Sequence, residues 1–380
     1  MRRVNTTQYK QALIGLGHII VDSPEQADKS LIWTCAVRDD FHDNSVKVLK
    51  DLEAEGHSVV AAGCFPSINP GLLKKFFKGD VIHYNNDESE FKKVFGGSPK
   101  SYPYPVIEAP ITIPLEEYKK QHPELKIGND DQYIKLFISE GCTKKCSYCT
   151  EILAFPPYHS YPAEKIIHKA KQLVVRTGVK KLALFGDDIG AYGLDSGINL
   201  IELIERLADI ESDIQISLKQ IHPLWCLHYN DKLMNFIDKG IIFQVLVPIQ
   251  SANDRILDLM GRGYNHKDLE YLFSKTLNKP DLELETHVIA GFPTETNAEW
   301  LETVDFICKY NFRYVMGNIF MPGHGTEAAE MPDQIDQKEK ERRIINGSEI
   351  MEKNNIVVGH NLSERSKEHV TLEHVDFTEL

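Results

Sequence analysis

The sequence has no apolar stretch long enough to span a bilayer, and its first residues do not form a signal peptide pattern. Cysteine is scarce, with seven residues in 380, and their spacing is not that of a disulfide framework. Because free thiols fit a reducing compartment, we expect a cytoplasmic protein with no membrane partner. Internal repeats and low-complexity tracts are also missing from the sequence.

Basic residues are also fewer than acidic residues. The formal net charge is -13 at pH 7, with 43 Lys and Arg against 56 Asp and Glu. Proteins that bind nucleic acids usually present a basic face, so this balance disfavours a polyanionic substrate. A local basic patch would still be compatible with the acidic total.

Apolar residues are plentiful, at 42% of the chain, which is enough to bury the cores of two domains. The first 95 residues alternate helix and strand. Short buried strands are predicted at SLIWT (30–34) and SVVAA (58–62), and helices at 6–16, 41–55 and 87–94. We therefore predict a parallel α/β domain over residues 1–95 and a Pro- and Gly-rich linker over 96–130.

Strand and helix patterns then alternate six times over residues 131–330. The predicted strands are 133–138, 181–185, 214–220, 243–247, 282–289 and 314–320. Such alternation with right-handed crossovers builds a parallel sheet, here a partial (β/α)6 barrel with its chemistry at the carboxyl ends of the strands. Residues 331–380 are predicted to hold a charged helix (332–354) and a short tail with at most a strand or two.

The most informative motif is CxxxCxxC, formed by Cys142, Cys146 and Cys149 directly after the first barrel strand. Three thiolates this close can ligate three irons of one [4Fe-4S] cluster, which leaves the fourth iron open for a substrate or cofactor. The alternative is a zinc site, which normally needs a nearby fourth ligand, and the next candidates are the more distant His159 and Cys226. Soft thiolate sets favour the cluster.

This motif resembles that of the radical SAM superfamily, whose members bind S-adenosylmethionine at the open iron and cleave it reductively. The resemblance implies that the three Cys are catalytic. It also implies that Tyr148, which lies between two of them, is near the adenine of the cofactor, with packing alone as the alternative. A flavodoxin- or ferredoxin-type protein would supply the electron.

Further segments resemble the methylthiotransferase branch of this superfamily, the MiaB-like and RimO-like enzymes. FGDDIGAYG (185–193) is similar to GQ(D/N)xxxYG, with Asp187 in place of Gln. VPIQSAND (247–254) and MGRGY (260–264) resemble HVPxQSGs(N/D) and MxRxY. HVIAGFPTET (287–296) resembles DxIxGFPGET, with His287 in place of Asp.

These segments imply a cofactor pocket at the strand ends. Its carboxylates would accept ribose hydroxyls or hold a substrate amine, with a helix N-cap as the alternative, and its arginine would neutralise the methionine carboxylate. The implied residues are Gly186, Asp187, Asp188, Gln250, Ser251, Arg262, Gly291 and Glu295.

WTCAVR (33–38) and AGCF (62–65) resemble the NTCxVR and GCxAQ segments of the same family, which carry Cys ligands of an auxiliary, sulfur-donating cluster. The resemblance implies that Cys35 and Cys64 hold a second iron–sulfur cluster, with buried structural Cys as the alternative. The family has an earlier Cys where this chain has Arg2. The third ligand is therefore open between Cys226 and a non-thiolate group, and the cluster could also be labile or absent.

The resemblance implies a transferase that methylthiolates, or inserts sulfur into, an unactivated C–H bond. We expect its substrate to be a small metabolite or peptide, because the family's docking domain (TRAM) is expected to be absent, with 356–359 as its remnant. Two Arg positions of the family also read Phe155 and Gly323. The alternatives are a tRNA methylthiotransferase that docks by another surface, a radical SAM enzyme with a non-sulfur reaction, and a catalytically silent binding protein.

Overall fold

The computed structural model describes residues 2–37, 39–99, 107, 108, 110–121, 123, 129–360 and 362. Its strands form two separate sheets, one of three strands in the N-terminal part and one of nine strands in the rest of the chain. No helix in these ranges is long and apolar enough to cross a membrane.

In the N-terminal part, helices surround three parallel strands in the order β1-β2-β3. The elements are α1 (Arg2–Gly15), β1 (Ser30–Thr34), α2 (Asp39–Ala54), β2 (Val59–Gly63), α3 (Cys64–Ile68), α4 (Pro70–Phe76), β3 (Asp80–His83) and α5 (Asp87–Phe95). Every residue of β2 is buried, as expected for a central strand covered on both faces. The predicted α/β class is confirmed, whereas the sequence pattern misses the short β3, which begins at an exposed Asp80.

The nine-stranded sheet has the order β12-β11-β10-β9-β8-β7-β5-β4, with β6 beside β5. Its strands are β4 (Ile107–Glu108), β5 (Ile134–Glu140), β6 (His159–Ser160), β7 (Lys181–Gly186), β8 (Gln215–Leu218), β9 (Ile242–Leu246), β10 (Glu283–Ala290), β11 (Phe312–Ile319) and β12 (Val357–His360). The pairs from β5 through β12 are parallel, and β4 and β6 pair with β5 antiparallel. The six predicted barrel strands are all present, in the predicted order.

Helices connect these strands and cover one face of the sheet. They are α6 (Leu115–Gln121), α7 (Ala163–Thr177), α8 (Leu200–Ala208), α9 (Pro223–His228), α10 (Asn230–Asp238), α11 (Asp254–Leu259), α12 (His266–Ser274), α13 (Asn297–Lys309) and α14 (Gln337–Lys353). Three of them begin with a capping box, in which Asn199, Asn265 and Thr296 exchange hydrogen bonds with an acidic residue three positions later.

The two faces of the barrel sheet differ in character. Along β10, Leu284, Val288 and Ala290 pack into the main apolar core beneath the helices. Glu285 and His287 alternate with them and therefore lie on the opposite, inner face. Polar side chains of β10 thus lie on the inner face of the sheet.

The structure adds to two predictions about the ends of the barrel. The segment predicted as a linker over 96–130 contains α6 and also β4, which extends the barrel sheet, although residues 100–106, 109, 122 and 124–128 lie outside the described residues. Residues 357–359 of the segment expected to be a TRAM remnant lie in β12, which pairs in parallel with β11 as part of the same sheet. The proposed domain boundaries stay predictions.

The N-terminal part meets the barrel close to the predicted cluster residues. Cys64 and Ile68 of α3 pack against Leu153 and Ala154, in the turn that directly follows Cys149. The two groups of cysteines are therefore joined through one small apolar contact.

Candidate functional site

The loop over residues 141–149, here called the cluster loop, follows β5 and carries the three Cys of the CxxxCxxC motif, none of them in a disulfide. Two N–H groups point at their sulfurs. The backbone N–H of Lys144 donates to Sγ of Cys142 at 3.4 Å, and Nη1 of Arg262 donates to Sγ of Cys146 at 3.2 Å. Hydrogen-bond donors to the Cys sulfurs stabilise a cluster held by thiolates. The cluster loop therefore fits an iron–sulfur cluster.

Arg262 ties the cluster loop to the fourth barrel strand. The residue is only 4% exposed. Besides Cys146, its guanidinium donates to the hydroxyl oxygens of Tyr148 (3.2 Å) and Tyr264 (2.9 Å) and to the carbonyl of Pro248 (2.6 Å). We therefore assign Arg262 to positioning Cys146, and its predicted contact with a methionine carboxylate stays a prediction.

Tyr148 also contributes to an apolar cluster with Phe292 and Phe320, from the loops after β10 and β11. This is the packing role that the sequence left open. The contact of Tyr148 with an adenine stays a prediction.

Asp188, at the end of β7, holds the cluster loop from the other side. Its Oδ2 accepts hydrogen bonds from the backbone N–H (3.2 Å) and the hydroxyl of Thr143, and its Oδ1 accepts from Nε1 of Trp225 (2.8 Å). Asp188 is 2% exposed, so both of its oxygens are used by the protein. Its role is to position the loop, not to cap a helix through its side chain.

Asp187 and Gly186 lie beside it. Asp187 accepts the backbone N–H of Gly141 at 2.9 Å. Burial, and then the nearby Glu151, raises the pKa of Asp187 well above its usual value. Gly186 ends β7 directly against Ser139, so a larger residue would collide with β5 just before the cluster loop. These three residues contact the cluster loop or the strand before it. Their predicted contact with the cofactor stays a prediction.

Gln250 has the features of a ligand-binding side chain. Its backbone lies in the left-handed region, with φ of 66°, and is held there by hydrogen bonds with His287 and Ile289 of β10. Its Oε1 is buried and has no hydrogen-bond partner among the described residues. Strain together with an unsatisfied acceptor is characteristic of a binding site, so Gln250 fits a donor group of S-adenosylmethionine.

Ser251, its neighbour, is 1% exposed and has a different role. Its hydroxyl pairs with that of Thr303 on α13 (3.1 Å) and accepts the backbone N–H of Asn253 (3.2 Å). The side chain of Ser251 therefore fastens the loop after β9 to a helix. Its contact with the cofactor stays a prediction.

Gly291 and Glu295 form a brace between β10 and the C-terminal helix. Glu295 accepts the backbone N–H of Gly291 (2.6 Å) and Nη1 of Arg343 on α14 (3.1 Å). Gly291 has φ of 74°, and the space beside it is filled by the aliphatic part of Lys340. Because Gly291 has no side chain, α14 can pack directly against the loop after β10.

A polar group on the inner face of the barrel was missed by the sequence reasoning. The hydroxyl of Ser217 donates to Oε1 of Gln244 (2.6 Å). Nε2 of the same Gln244 donates to Oε1 of Glu285 (2.8 Å). Lys219 Nζ lies 3.8 Å from Oε2 of Glu285, and Lys219 is only 5% exposed. Burial, and then Lys219, lowers the pKa of His287 to about 4, so this ring is neutral. We call these five residues the inner-face cluster.

His222 is a second residue that the sequence did not single out as functional. Its Nδ1 accepts the N–H of Leu224 (3.2 Å), and its Nε2 is buried without a partner among the described residues. Burial, followed by the charges of Arg262 and Lys144, lowers the pKa of His222 to about 2. Because Nδ1 of this neutral ring is the acceptor, Nε2 carries the proton, and this N–H can donate to an acceptor on a ligand. An unsatisfied buried ring nitrogen is visible only in the folded chain.

The predicted auxiliary site, here called the auxiliary site, comprises Cys35 and Cys64. Thr34 and Gly63 are register partners in β1 and β2, so the two Cys that follow them leave the same sheet edge side by side. Ser45 of α2 fixes Cys35, since its hydroxyl accepts the N–H (2.9 Å) and donates to the C=O (3.0 Å) of that residue.

An unsatisfied donor lies beside this pair. Nε1 of Trp33 is buried without a partner among the described residues, and it would lie 3.0 Å from a Cβ placed on Gly63. An indole N–H in this position fits a cluster sulfur as acceptor.

The other Cys residues do not contribute to either site. Cys226 is 7% exposed within the main barrel core, and Cys308 packs against the same core from α13. Cys226 is thus a packing residue and not the third auxiliary ligand. The zinc alternative is not supported either, because no three His, Cys, Asp or Glu side chains in the described ranges converge closely enough to share one ion.

Comparison with known proteins identifies the class first. Residues 136–307 match the family model described as "Radical SAM superfamily", and residues 1–83 match "Uncharacterized protein family UPF0004". The radical S-adenosylmethionine methyltransferase TsrM of Kitasatospora setae, solved with cobalamin and a [4Fe-4S] cluster bound, has a similar fold, with a TM-score of 0.54 at 13% identity, over 84% of this chain and 68% of that one. The chain is a radical SAM protein.

Two relatives narrow the assignment. The chain is 32% identical to the probable threonylcarbamoyladenosine tRNA methylthiotransferase of Methanocaldococcus jannaschii, over 93% of this chain and 80% of the relative. It is 29% identical to the ribosomal protein uS12 methylthiotransferase RimO of Syntrophomonas wolfei, over 90% and 78%. The chain therefore belongs to the radical SAM methylthiotransferase family and is an enzyme of that kind, with S-adenosylmethionine and iron–sulfur clusters as its cofactors.

Proposed function

We propose that this enzyme methylthiolates, or inserts sulfur into, an unactivated C–H bond of a substrate other than tRNA, namely a small metabolite or a peptide. The observation that carries the proposal is the inner-face cluster. It places the ammonium of Lys219, directly after β8, 3.8 Å from the carboxylate of Glu285 on the inner face of β10. Lys219 thus lies at the carboxyl end of a barrel strand, the side on which barrel enzymes bind their substrates.

Opposite charges at this spacing suit a zwitterionic or amide-rich substrate. Lys219 can bind a carboxylate or carbonyl, and Glu285 can accept an amine or amide N–H, while Gln244 keeps Glu285 in place. His287 is neutral and adds a polar group without charge. The net charge of -13 further supports a substrate that is not a polyanion.

The cofactors supply the one-electron cleavage and the sulfur when bound, with an electron from a flavodoxin- or ferredoxin-type donor. The residues of the chain position the cofactors and shield them from water. Arg262 and Asp188 fix the cluster loop, and Gln250 offers an acceptor at the strand edge. Cys35 and Cys64 would hold the second cluster at the neighbouring sheet.

A tRNA substrate is the second candidate. The relative with 32% identity carries the name of a threonylcarbamoyladenosine tRNA methylthiotransferase, and this is the observation in favour. Docking would then need a local basic surface, and binding would weaken steeply with salt.

One experiment separates the two candidates. Reconstituted enzyme is reduced with dithionite in the presence of S-adenosylmethionine with a radiolabelled methyl group, and is given either total tRNA or the ultrafiltered peptide and metabolite fraction of a cell extract. We expect label in a new compound of the ultrafiltered fraction that is separated by chromatography from S-adenosylmethionine and from methionine, which retains the methyl group after cleavage. Label confined to tRNA would overturn the proposal in favour of the second candidate.

The inner-face cluster is tested in the same assay. Lys219→Met should abolish the labelled product while cleavage of S-adenosylmethionine continues without substrate. Lys181→Met is the matched control, because this lysine lies at the opposite end of the sheet, over the rings of Tyr133 and Phe243. Equal product from both variants would contradict a substrate role of Lys219.

A further inference from the structure

We propose that His42 is the third protein ligand of the auxiliary cluster and binds iron through Nε2, together with Cys35 and Cys64. The inference rests on the proposed function, since it supposes that the auxiliary site holds an iron–sulfur cluster. The family takes its third cluster ligand from a Cys where this sequence has Arg2, and we assign that missing ligand to His42.

The position of α2 brings His42 to the auxiliary site. Ser45 hydrogen bonds to both backbone groups of Cys35, which fixes this face of the helix against the sheet edge. His42 precedes Ser45 by three residues and therefore lies on the same helix face.

His42 also contacts the second cysteine segment. Its ring meets that of Phe65, the residue after Cys64, edge to face with centroids 4.9 Å apart. Phe65 is fully buried, so this contact fixes the ring of His42. The imidazole thus packs on the residue that follows Cys64 and lies one helical turn before Ser45, which holds Cys35.

The hydrogen bonds of the ring are those of a metal ligand. Nδ1 lies 3.2 Å from Oδ1 of Asp43, and because a carboxylate only accepts, Nδ1 is the protonated nitrogen. Nε2 then carries a lone pair, and this atom is buried without a partner among the described residues. A histidine that ligates metal typically donates its other N–H to a carboxylate in this way.

A cluster explains the arrangement better than a single ion. In the described part of the chain, no three His, Cys, Asp or Glu side chains are close enough together to bind one metal ion. This includes the three Cys of the cluster loop. Ligands of a cluster bind different irons and need not converge on one point. Imidazole ligation of an iron–sulfur cluster is chemically established, and exchanging a thiolate for a neutral ring raises the reduction potential.

The test isolates the auxiliary cluster. In a Cys142→Ala/Cys146→Ala/Cys149→Ala background, the chain is reconstituted with iron and sulfide and partly reduced, and nitrogen hyperfine coupling is measured by pulsed EPR. We expect a strong coupling from a directly bound imidazole. It should disappear in His42→Ala and His42→Cys, and remain in His18→Ala, a control ring in the same part of the chain that contacts Phe95.

The outcomes distinguish the two levels of the proposal. No cluster in the triple background would overturn the auxiliary site itself. A cluster whose coupling is absent, or unchanged by both His42 variants, would overturn the histidine ligand and leave the site. Iron retained in His42→Cys with the coupling lost is the expected result, and this variant stays informative if His42→Ala does not fold.

Discussion

The cluster loop and the auxiliary site each follow a parallel strand, yet they are built differently. Side chains from two later segments hold the cluster loop, namely Arg262 and Asp188, and Trp225 in turn holds Asp188. The auxiliary pair is held by strand register and by Ser45. The difference suggests that the first site is rigid before metal binds, whereas the second depends more on the cluster for its order.

The largest expected effect comes from removing ligands. Cys146→Ala should reduce 5′-deoxyadenosine formation to background, because one iron loses its anchor. Cys35→Ala/Cys64→Ala should retain that cleavage and lose sulfur transfer. The two products are measured separately by liquid chromatography of one reaction. If the double variant still forms thiolated product, the role of the auxiliary pair is wrong.

The next effect tests the rigidity of the cluster loop. Arg262→Lys removes the branched contacts with Cys146, Tyr148 and Tyr264, and we expect cofactor cleavage to fall about 10- to 100-fold. The reduction potential of the cluster, measured by redox titration, should become more negative, because a hydrogen bond to sulfur is lost. Arg255→Lys is the control, since Arg255 pairs with Glu299 on the surface. Equal effects in both variants would contradict the assigned role.

A smaller effect is expected from Gly63→Ala. Gly63 has φ of 97°, and an added Cβ would lie 2.5 Å from the carbonyl of Thr34, so β1 and β2 must separate. We expect a loss of about 1–3 kcal/mol in stability, and weaker sulfur transfer with cofactor cleavage preserved. Gly56→Ala has a similar φ of 85° but meets no atom within 4 Å, so it measures the backbone strain alone. A loss of cofactor cleavage in Gly63→Ala would show that the sites are not separable.

The smallest effect is a pH dependence of stability that comes from one residue of the barrel, Glu295. Burial raises the pKa of Glu295 to about 7, against the opposing hydrogen bond from Gly291 and the charge of Arg343. A carboxyl with a raised folded pKa stabilises most when protonated, so stability falls as pH rises through about 7. The loss should be about 1 kcal/mol between about pH 6 and 8. Urea unfolding of the metal-free chain measures it, and Glu295→Gln should remove that part of the dependence. A dependence unchanged in the variant would contradict the shift.

The sequence predicts strands and cysteine loops well, because apolar runs and motif spacing are local. It places Cys142, Cys35 and Gln250 at strand ends, where the structure has them. It cannot show that Asp188 and Arg262 use their polar atoms on the protein, since those partners are distant in sequence. The inner-face cluster and the ring of His42 were missed for the same reason: each depends on which residues become neighbours after folding.

The apolar contact of Cys64 and Ile68 with Leu153 and Ala154 has a consequence for engineering. A barrel recombined with a foreign N-terminal module would leave Ala154 uncovered, one turn beyond the last thiolate of the CxxxCxxC motif. The segment would then fray toward solvent and oxygen. The two halves of this enzyme should therefore be exchanged only as a matched pair that preserves this junction.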